Sequence, residues 1–351
     1  MRQFETRTVR LRTGAEPTIL VFANEELVYE TPLPLDARCQ RKGHTGLKLS
    51  GKKDHLKLRI RFVTPADVAI WTRVFHQAIT HAKWIRGLGP TTCLAHDRMS
   101  TVLVATHHPL QEEVAIKVLP RARVDDGSCN EVQILKKLYH AQALQFLLSY
   151  HVIETPSDVR VIMPRFDGRN LLVFLQERPA PHALDEREAA ALLWSMCEGL
   201  QALHAQGIIH CDVKLENILL TDATSARLID FGGAYDVSPW GKDLVGTPGY
   251  VAPERILTTA PPTPAADVFS LGVVLFQVLT GRHPFRAKTL SLEDSLSLDW
   301  AHAQTQLQAR GVSSQAQDLL QLMLKACPSS RIPLSAISSH PWMTSASNEV
   351  R

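Results

Sequence analysis

The most informative stretch of the chain is HCDVKLEN, residues 210–217. It places a carboxylate (Asp212), an ammonium group (Lys214) and an amide (Asn217) within one short segment. Transfer of a phosphoryl group requires an acceptor for the hydrogen bond of the attacking hydroxyl, a cation near the γ-phosphate and an oxygen ligand for Mg²⁺. These three side chains can supply all of them from one loop. The alternative interpretation is a turn between a helix and a strand that carries solvated charges.

A second carboxylate follows 13 residues after Asn217, in Asp230-Phe231-Gly232. Magnesium typically takes one or two protein carboxylates and completes its shell with phosphate oxygens and water. Asp230 together with Asn217 meets that requirement, and Phe231 would pack into the core beneath them. By itself, the tripeptide also fits a turn that ends a strand.

Two further stretches extend the pattern on either side. Upstream, Lys117 ends the predicted strand VAIK, residues 114–117, and Glu131 lies on the next predicted helix. A glutamate that pairs with Lys117 would hold its ammonium group against the α- and β-phosphates of a nucleotide, although a lone lysine on a strand is usually a solvated residue. Downstream, residues 246–254 form a Gly- and Pro-rich loop, GTPGYVAPE, that starts 16 residues after Asp230.

In this order and at this spacing, the four stretches resemble the eukaryotic-type protein kinase domain. Residues 267–272 (DVFSLG), Ser330-Arg331 and residues 340–342 (HPW) resemble the same family. The resemblance extends over residues 93–343, about 70% of the chain. It implies an α+β bilobal fold, with a small β-rich lobe and a large helical lobe.

The resemblance implies roles for three catalytic residues. Asp212 would orient the acceptor hydroxyl, Lys214 would stabilise the transferring phosphoryl group, and Thr247 would bond back to both. A lysine two residues after the catalytic aspartate resembles serine/threonine kinases rather than tyrosine kinases. The implied activity is therefore transfer of the γ-phosphate of ATP to Ser and Thr hydroxyls of protein substrates.

The same resemblance implies positions for the cofactors ATP and Mg²⁺. Asn217 and Asp230 would bind Mg²⁺. Met163 falls at the gatekeeper position, and residues 164–166 would form the hinge that meets adenine. The ATP-binding residues would be Lys117, Glu131, Val102, Ala115, Met163, Phe166 and Leu219.

Two supporting contacts also follow from the resemblance. Glu254 and Arg331 would form a buried ion pair that ties the substrate loop to the large lobe. Asp267 would receive backbone amides of the catalytic loop. Both contacts join segments that are far apart in the sequence.

The chain departs from the family at the phosphate-binding loop. Counting back 15 residues from Lys117 reaches Val102, which suits the valine that follows the glycines. The three glycine positions would then be Ala95, Asp97 and Ser100. Without glycine, the backbone amides cannot approach the phosphates as closely, and Asp97 would add repulsion. Residues 87–89 (GLG) could replace the loop only after a shift of about eight residues.

A second departure is Cys211, where most of the family has arginine. That arginine normally binds a phosphate on the activation loop, and a thiol cannot do so. We therefore expect either a kinase that orders its loop without that phosphate or an inactive one.

Composition limits the classes of protein to which the chain can belong. It has 351 residues, 45% hydrophobic and 21% charged, which excludes a disordered, collagen-like or disulfide-scaffold protein. The longest apolar run, residues 271–279, is too short to span a membrane, and the first ten residues lack the apolar region of a secretory signal. Six scattered cysteines without a CxxC pair are expected to be reduced thiols, with no zinc site.

Charge divides the chain into two parts. Residues 1–85 contain 15 Lys and Arg against 8 Asp and Glu, whereas residues 86–351 contain 23 against 27. We predict a basic module at residues 1–85, a short linker at 86–92, a kinase domain at 93–343 and a tail at 344–351.

The basic module is predicted to consist of short strands followed by one helix. Strands are expected at residues 6–12, 18–22, 26–31, 46–50 and 55–62. A helix is expected at 64–81, with Thr64 as N-cap and Pro65 at its first position. Strands followed by one amphipathic helix with a central Trp71 resemble a pleckstrin-homology-like barrel.

Basic side chains in this module suggest an anionic partner. They could meet a phosphoinositide headgroup, an anionic membrane or RNA, and we favour a lipid over nucleic acid. The alternative is a solvated basic face. The residues concerned are Arg41, Lys42, Lys48, Lys52, Lys53 and Lys57.

Two functions from different classes fit the sequence. The first is an ATP-dependent serine/threonine kinase with an N-terminal docking or regulatory module, located in the cytoplasm, with the nucleus or a membrane surface as alternatives. The second is a pseudokinase scaffold that binds partners, and the missing glycines favour it. Retention of Lys117, Glu131, Asp212, Asn217 and Asp230 favours the enzyme.

Overall fold

The computed structural model divides the chain into two compact units, each described by itself. One contains Met1–Asp126 with Tyr150–Arg165, and the other contains Gly127–Ser149 with Phe166–Arg351. The structure describes residues 8–12, 18–23, 26–32, 37–44, 46–50, 57–62, 64–96, 100–108, 111–125, 131–140, 151–155, 157–165, 169–220, 226–236, 246–285, 291, 296 and 298–348.

The first unit begins with two antiparallel three-stranded sheets, ordered β1-β2-β3 and β4-β5-β6, and a long helix, α1. The bounds are β1 Thr8–Arg12, β2 Thr18–Ala23, β3 Glu26–Pro32, β4 Arg38–Arg41, β5 Gly46–Ser50, β6 Lys57–Arg61 and α1 Pro65–Gly87. The sequence pattern misses β4, because its residues, RCQR, show almost no apolar alternation and three of the four are exposed on an edge strand.

Helix α1 packs its apolar stripe on the second sheet. Leu47 and Leu49 of β5 are buried in one cluster with Val68 and Phe75 of the helix. Trp71 lies beside Phe75, with ring centroids 5.3 Å apart. The helix begins as predicted, because the Thr64 hydroxyl accepts a hydrogen bond from the Asp67 amide at 3.2 Å. It continues past residue 81 to Gly87, since nothing before that glycine interrupts a helix.

A five-stranded antiparallel sheet, ordered β10-β11-β9-β8-β7, completes the first unit together with the short helix α2. Its core contains Val114, Ile116, Ile153 and Ile162. The bounds are β7 Thr92–His96, β8 Thr101–His107, β9 Glu112–Pro120, α2 Arg121–Asp125, β10 His151–Glu154 and β11 Asp158–Pro164. The sequence pattern misses β7, whose residues are all exposed.

The residues predicted as a linker, 86–92, contain regular backbone hydrogen bonds. Gly87 ends α1, and its carbonyl accepts from the His108 amide at 2.8 Å. The Gly89 amide donates to the Thr106 carbonyl at 2.8 Å, and Leu88 forms a β-bridge with His107. These glycines therefore lie at the opposite end of the β7–β8 hairpin from its turn. At the other end the last pair of this hairpin is His96 with Thr101, and Asp97 lies outside the described residues.

The second unit is mainly helical. Helix α7 lies at its centre and is buried at nearly every position, because its residues are apolar all round. The helices are α3 Glu131–His140, α4 Leu171–Glu177, α5 Glu186–Ala205, α6 Pro253–Leu257, α7 Pro264–Thr280, α8 Trp300–Ala309, α9 Ser314–Met323, α10 Leu334–Ile337 and α11 Pro341–Asn348. Two short antiparallel pairs, β12–β15 and β13–β14, are formed by β12 Ile208–Ile209, β13 Ile218–Leu220, β14 Ala226–Leu228 and β15 Tyr235–Asp236.

A β-rich unit and a helical unit fit the bilobal kinase fold predicted from the sequence.

None of the helices among the described residues has an apolar stretch of the length that a membrane span requires.

Truncation of the buried Phe75 side chain should destabilise the α1–β5 packing. Phe75→Ala is expected to cost about 3–5 kcal/mol, because it removes a fully buried ring from the cluster. Ile70→Ala on the same helix is the control, since Ile70 is 57% exposed and should cost less than about 0.5 kcal/mol. Hydrogen exchange of residues 64–87 measures both. Equal exchange in the two variants would contradict this packing.

Candidate active site

The catalytic loop is fixed to helix α7 by one carboxylate. Asp267 is fully buried, and its Oδ2 and Oδ1 accept from the backbone amides of His210 and Cys211 at 2.9 and 2.8 Å. The Nε2 atom of His204, in the last turn of α5, lies 2.8 Å from Asp267 Oδ2. The predicted contact between Asp267 and the loop amides is therefore confirmed. It fixes the backbone immediately before Asp212.

Four of the predicted site residues lie in one hydrogen-bonded network. Asp212 Oδ1 accepts from the Thr247 hydroxyl at 2.5 Å, and Asp212 Oδ2 accepts from Asn217 Nδ2 at 2.9 Å. Lys214 Nζ donates to Thr247 Oγ1 at 2.8 Å and lies 2.8 Å from Asp212 Oδ2. The three side chains named from residues 210–217 and Thr247, which the kinase resemblance adds, thus meet around one carboxylate.

A short hairpin brings the two predicted Mg²⁺ ligands together. Ile218 pairs with Leu228 across β13 and β14, and the Ile229 amide donates to the Asn217 carbonyl at 2.9 Å. Asn217 therefore lies beside the residue that precedes Asp230. The Asn217 side-chain nitrogen, Nδ2, donates to Asp212. The side-chain oxygen, Oδ1, is therefore the atom of the Asn217 amide that is left for a cation. An amide oxygen and a carboxylate are hard ligands of the type that Mg²⁺ prefers.

The DFG turn, residues 230–232, is stabilised by a hydrogen bond within it and by the packing of its phenylalanine ring. Asp230 adopts a left-handed φ of 64°, and its Oδ1 accepts from the Gly232 amide at 3.2 Å. Phe231 is buried, with its ring 5.4 Å from that of His210. A Cβ on Gly232 would lie 3.9 Å from Glu131 Oε2. The buried Glu131 carboxylate of α3 therefore borders this turn.

Four predicted nucleotide contacts lie on one face of the five-stranded sheet. Val102 on β8 is directly opposite Lys117 on β9, and Ala115 on β9 is directly opposite Met163 on β11. Residues opposite each other, or two apart on a strand, share a face. Leu219 lies on β13 of the helical unit. The ATP contacts of these residues and the pairing of Lys117 with Glu131 stay predictions, and Phe166 lies outside the described residues.

The predicted ion pair between Glu254 and Arg331 is confirmed. Arg331 Nη1 and Nη2 donate to Glu254 Oε1 and Oε2, both at 2.8 Å. The remaining guanidinium hydrogens go to the backbone carbonyls of Ala265, Lys325 and Ala326. Because every donor direction is used, this cation can be buried without an uncompensated charge.

Cys211 has no charge with which to bind a phosphate. Burial raises the pKa of its thiol, and the Asp267 carboxylate raises it further. The thiol is therefore neutral near pH 7. A Cβ placed on Gly246 would lie 2.7 Å from the backbone carbonyl oxygen of Cys211. This contact joins the catalytic loop to the start of the GTPGYVAPE segment.

Sequence reasoning missed two polar contacts of the site. His204 meets Asp267 from 63 residues away, and Lys137 Nζ donates to Asp236 Oδ1 at 2.8 Å from 99 residues away. A basic residue in the last turn of a predicted helix, as His204 is, gave a weak signal. Lys137 and Asp236 gave none, because nothing local marks either as a partner.

Comparison with known proteins identifies the family of the chain. A family model described as "Protein kinase domain" matches residues 97–343, and the chain belongs to that family. It is 30% identical over 257 residues to the SNF1-related protein kinase catalytic subunit alpha KIN12 of Arabidopsis thaliana, covering 71% of this chain and 50% of that protein. It is 33% identical over 261 residues to sperm motility kinase 3A of Mus musculus, covering 72% and 49%.

A third relative is the serine/threonine-protein kinase PLK4 of Danio rerio, which is 32% identical over 240 residues, covering 66% of this chain and 24% of that protein. The chain thus spans about half the length, or less, of these curated relatives. The family predicted from the sequence is confirmed.

Substitution of Gly246 should distort the catalytic loop. Gly246→Ala adds a Cβ 2.7 Å from the Cys211 carbonyl oxygen at a φ of 78°. Gly311→Ala is the matched control, because Gly311 has a φ of 68° and no atom within 4 Å of the added Cβ. Both should lose about 1 kcal/mol from backbone strain, and only Gly246→Ala should lose more. Urea unfolding distinguishes them, and equal losses would argue against the contact.

Proposed function

We propose that this chain is an ATP-dependent serine/threonine protein kinase that transfers the γ-phosphate of ATP to Ser and Thr hydroxyls of proteins. The observation that carries this proposal is the network in which Asp212 accepts from Thr247 and Asn217 while Lys214 lies beside it. These are the parts that phosphoryl transfer requires, held in one place before any substrate binds.

Each side chain has one task in the proposed reaction. Asp212 accepts the hydrogen bond of the substrate hydroxyl and takes its proton as that oxygen forms a bond to the γ-phosphorus. The bond from the γ-phosphorus to the β–γ bridging oxygen breaks, and ADP leaves. Lys214 places a positive charge against the transferring group. Thr247 holds both side chains in position through its hydroxyl.

Asn217 and Asp230 would hold Mg²⁺ through side-chain oxygens. When bound, the ion supplies positive charge that neutralises the β- and γ-phosphate oxygens. Lys117, held by Glu131, would bind the α- and β-phosphates. The proposed adenine pocket contains Val102, Ala115, Met163, Phe166 and Leu219.

Two observations support a serine/threonine enzyme over a pseudokinase scaffold. Lys117, Glu131, Asp212, Asn217 and Asp230 are all retained. The relatives that the chain resembles are named as kinases, and one carries serine/threonine-protein kinase in its name.

The five described cysteines are free, which supports a reducing compartment such as the cytoplasm.

Removal of the Asp230 charge should abolish transfer while leaving the fold intact. Asp230→Asn is expected to lower kcat at least a hundredfold, about 2.7 kcal/mol, because it weakens the Mg²⁺ site. Asparagine also tolerates the left-handed φ of 64° at this position. Transfer of radiolabel from ATP to a Ser/Thr peptide library is the assay.

The matched control for this experiment is Asp318→Asn, because the Asp318 side chain is 63% exposed and distant in sequence from the network. It should keep the wild-type rate. A wild-type rate in Asp230→Asn would refute the metal site. An inactive wild-type protein that still binds nucleotide would favour the pseudokinase scaffold.

For the N-terminal region, we propose a pleckstrin-homology-like domain at residues 1–85 that binds anionic lipid surfaces. Its support is the outer face of β4–β6, which lies opposite the face that packs on α1. Arg38, Lys48 and Arg59 project from it, whereas Leu47 and Leu49 point inward. Lys48 and Arg59 are directly opposite each other, and like charges so placed repel. An anionic partner would relieve that repulsion.

Charge reversal on this face should weaken membrane binding. Lys48→Glu with Arg59→Glu should lower binding of the full chain to phosphatidylserine vesicles at least tenfold, since each basic residue near an anionic surface contributes about 1 kcal/mol. Arg187→Glu with Arg310→Glu makes the same charge change at exposed positions of the helical unit and is the control. Sedimentation at two salt concentrations is the measurement. Equal loss in both variants, or no binding of the wild type at low salt, would contradict the proposal.

A further inference from the structure

Helix α3 is joined to the segment after the DFG turn by an ion pair. Lys137 lies near the end of α3, and Asp236 is the last residue of β15. Lys137 Nζ lies 2.8 Å from Asp236 Oδ1, and the two side chains are 36% and 20% exposed. This pair therefore lies at the edge of the helical unit, partly screened by solvent.

Asp236 belongs to a strand that leads directly back to the catalytic loop. In the β12–β15 pair, Ile208 is opposite Asp236 and Ile209 is opposite Tyr235. The residue after Ile209 is His210, whose amide is held by Asp267. A force on Asp236 thus reaches the catalytic loop through one antiparallel pair of strands.

The same helix lies near the segment at a second point. Glu131, at the start of α3, borders Gly232 of the DFG turn. Lys137 is six residues further along the helix, about one and two-thirds turns, and meets Asp236. The ion pair therefore ties the C-terminal half of α3 to β15, while Glu131 borders the DFG turn from the first residue of the helix.

Among the described residues, Lys137 is a cation that contacts the segment after the DFG turn, and its partner there is a carboxylate of the protein itself. Cys211 is a half-buried neutral thiol and supplies no charge to the segment. Lys137 supplies one, and Asp236 neutralises it. This ion pair is thus present in the chain without any added phosphate.

We propose that Lys137 and Asp236 are positioning residues, whose ion pair holds helix α3 and β15 in the active arrangement in place of an activation-loop phosphate. This inference rests on the proposed kinase function. Neither residue is assigned a contact with substrate or metal. Their effect on the reaction comes through Glu131 on one side and the catalytic loop on the other.

The test compares two single variants, one exchanged pair and one control. Lys137→Met and Asp236→Asn each remove one charge. Lys137→Glu with Asp236→Lys restores an opposite pair in reversed order. Arg178→Met is the control, because the Arg178–Glu188 pair has the same kind of exposure, 30% and 35%, and joins only α5 to the end of α4.

The expected result is a change in kcat with little change in KM. Each single variant should lower kcat about fivefold, and the exchanged pair should return it to within about twofold of the wild type. KM for the peptide should stay the same, because neither side chain is placed at the substrate. Treatment of the wild type with phosphatase should leave its rate unchanged. A single variant with wild-type kcat, or a wild type silenced by phosphatase, would overturn the proposal.

Hydrogen exchange provides a readout that does not depend on catalysis. Residues 131–140 and 208–212 should exchange faster in Lys137→Met than in the wild type, and Arg178→Met should leave them unchanged. Equal exchange in all three proteins, or a global increase in both variants, would overturn the positioning role. If the wild type transfers no phosphate, the kinase proposal fails, and exchange alone then decides whether the ion pair restrains α3.

Discussion

The catalytic loop depends on the buried carboxylate of Asp267. Removal of a carboxylate from water costs several kcal/mol unless hydrogen bonds replace the lost hydration. Here, the amides of His210 and Cys211, together with His204, provide those bonds. Because α7 is enclosed on all sides, the carboxylate cannot follow a moving loop. The loop must therefore stay where the helix holds it. The position of Asp212, the next residue, is fixed by the same contacts.

Residues with unusual backbone angles surround this anchor. Cys211 and Asp230 have φ values of 59° and 64°, a region that costs non-glycine residues about 1–2 kcal/mol. Gly246, with a φ of 78°, lies against the Cys211 carbonyl. Such conformations persist only where the surrounding bonds overdetermine them. The network around Asp212 is thus held rigid by its neighbours before any substrate arrives.

Prediction from the sequence was strongest where chemistry is local. Asp212, Lys214 and Asn217 lie within one loop, so their spacing alone indicated that they would meet. Contacts known from the family resemblance, such as Glu254 with Arg331, were also named correctly. The ion pair of Lys137 with Asp236 was not, because its existence depends on the tertiary register of two distant segments.

Secondary structure shows the same division. Strands with apolar alternation, such as β5 and β6, were predicted closely, since one buried face leaves a clear pattern. Strands β4 and β7 leave no such pattern, because they are exposed on edges and are defined by backbone pairing with a neighbour. The basic face of β4–β6 became visible only when the register showed which residues share a side.

The junction between α1 and β7 has a mechanical consequence. A flexible tether would absorb displacement, but residues 87–89 are joined to residues 106–108 by two backbone hydrogen bonds and a β-bridge. No flexible linker separates α1 from the hairpin at this point. A displacement or rotation of the C-terminal end of α1 is therefore transmitted directly to the open end of the β7–β8 hairpin. The helix and the hairpin move as one rigid element at this junction.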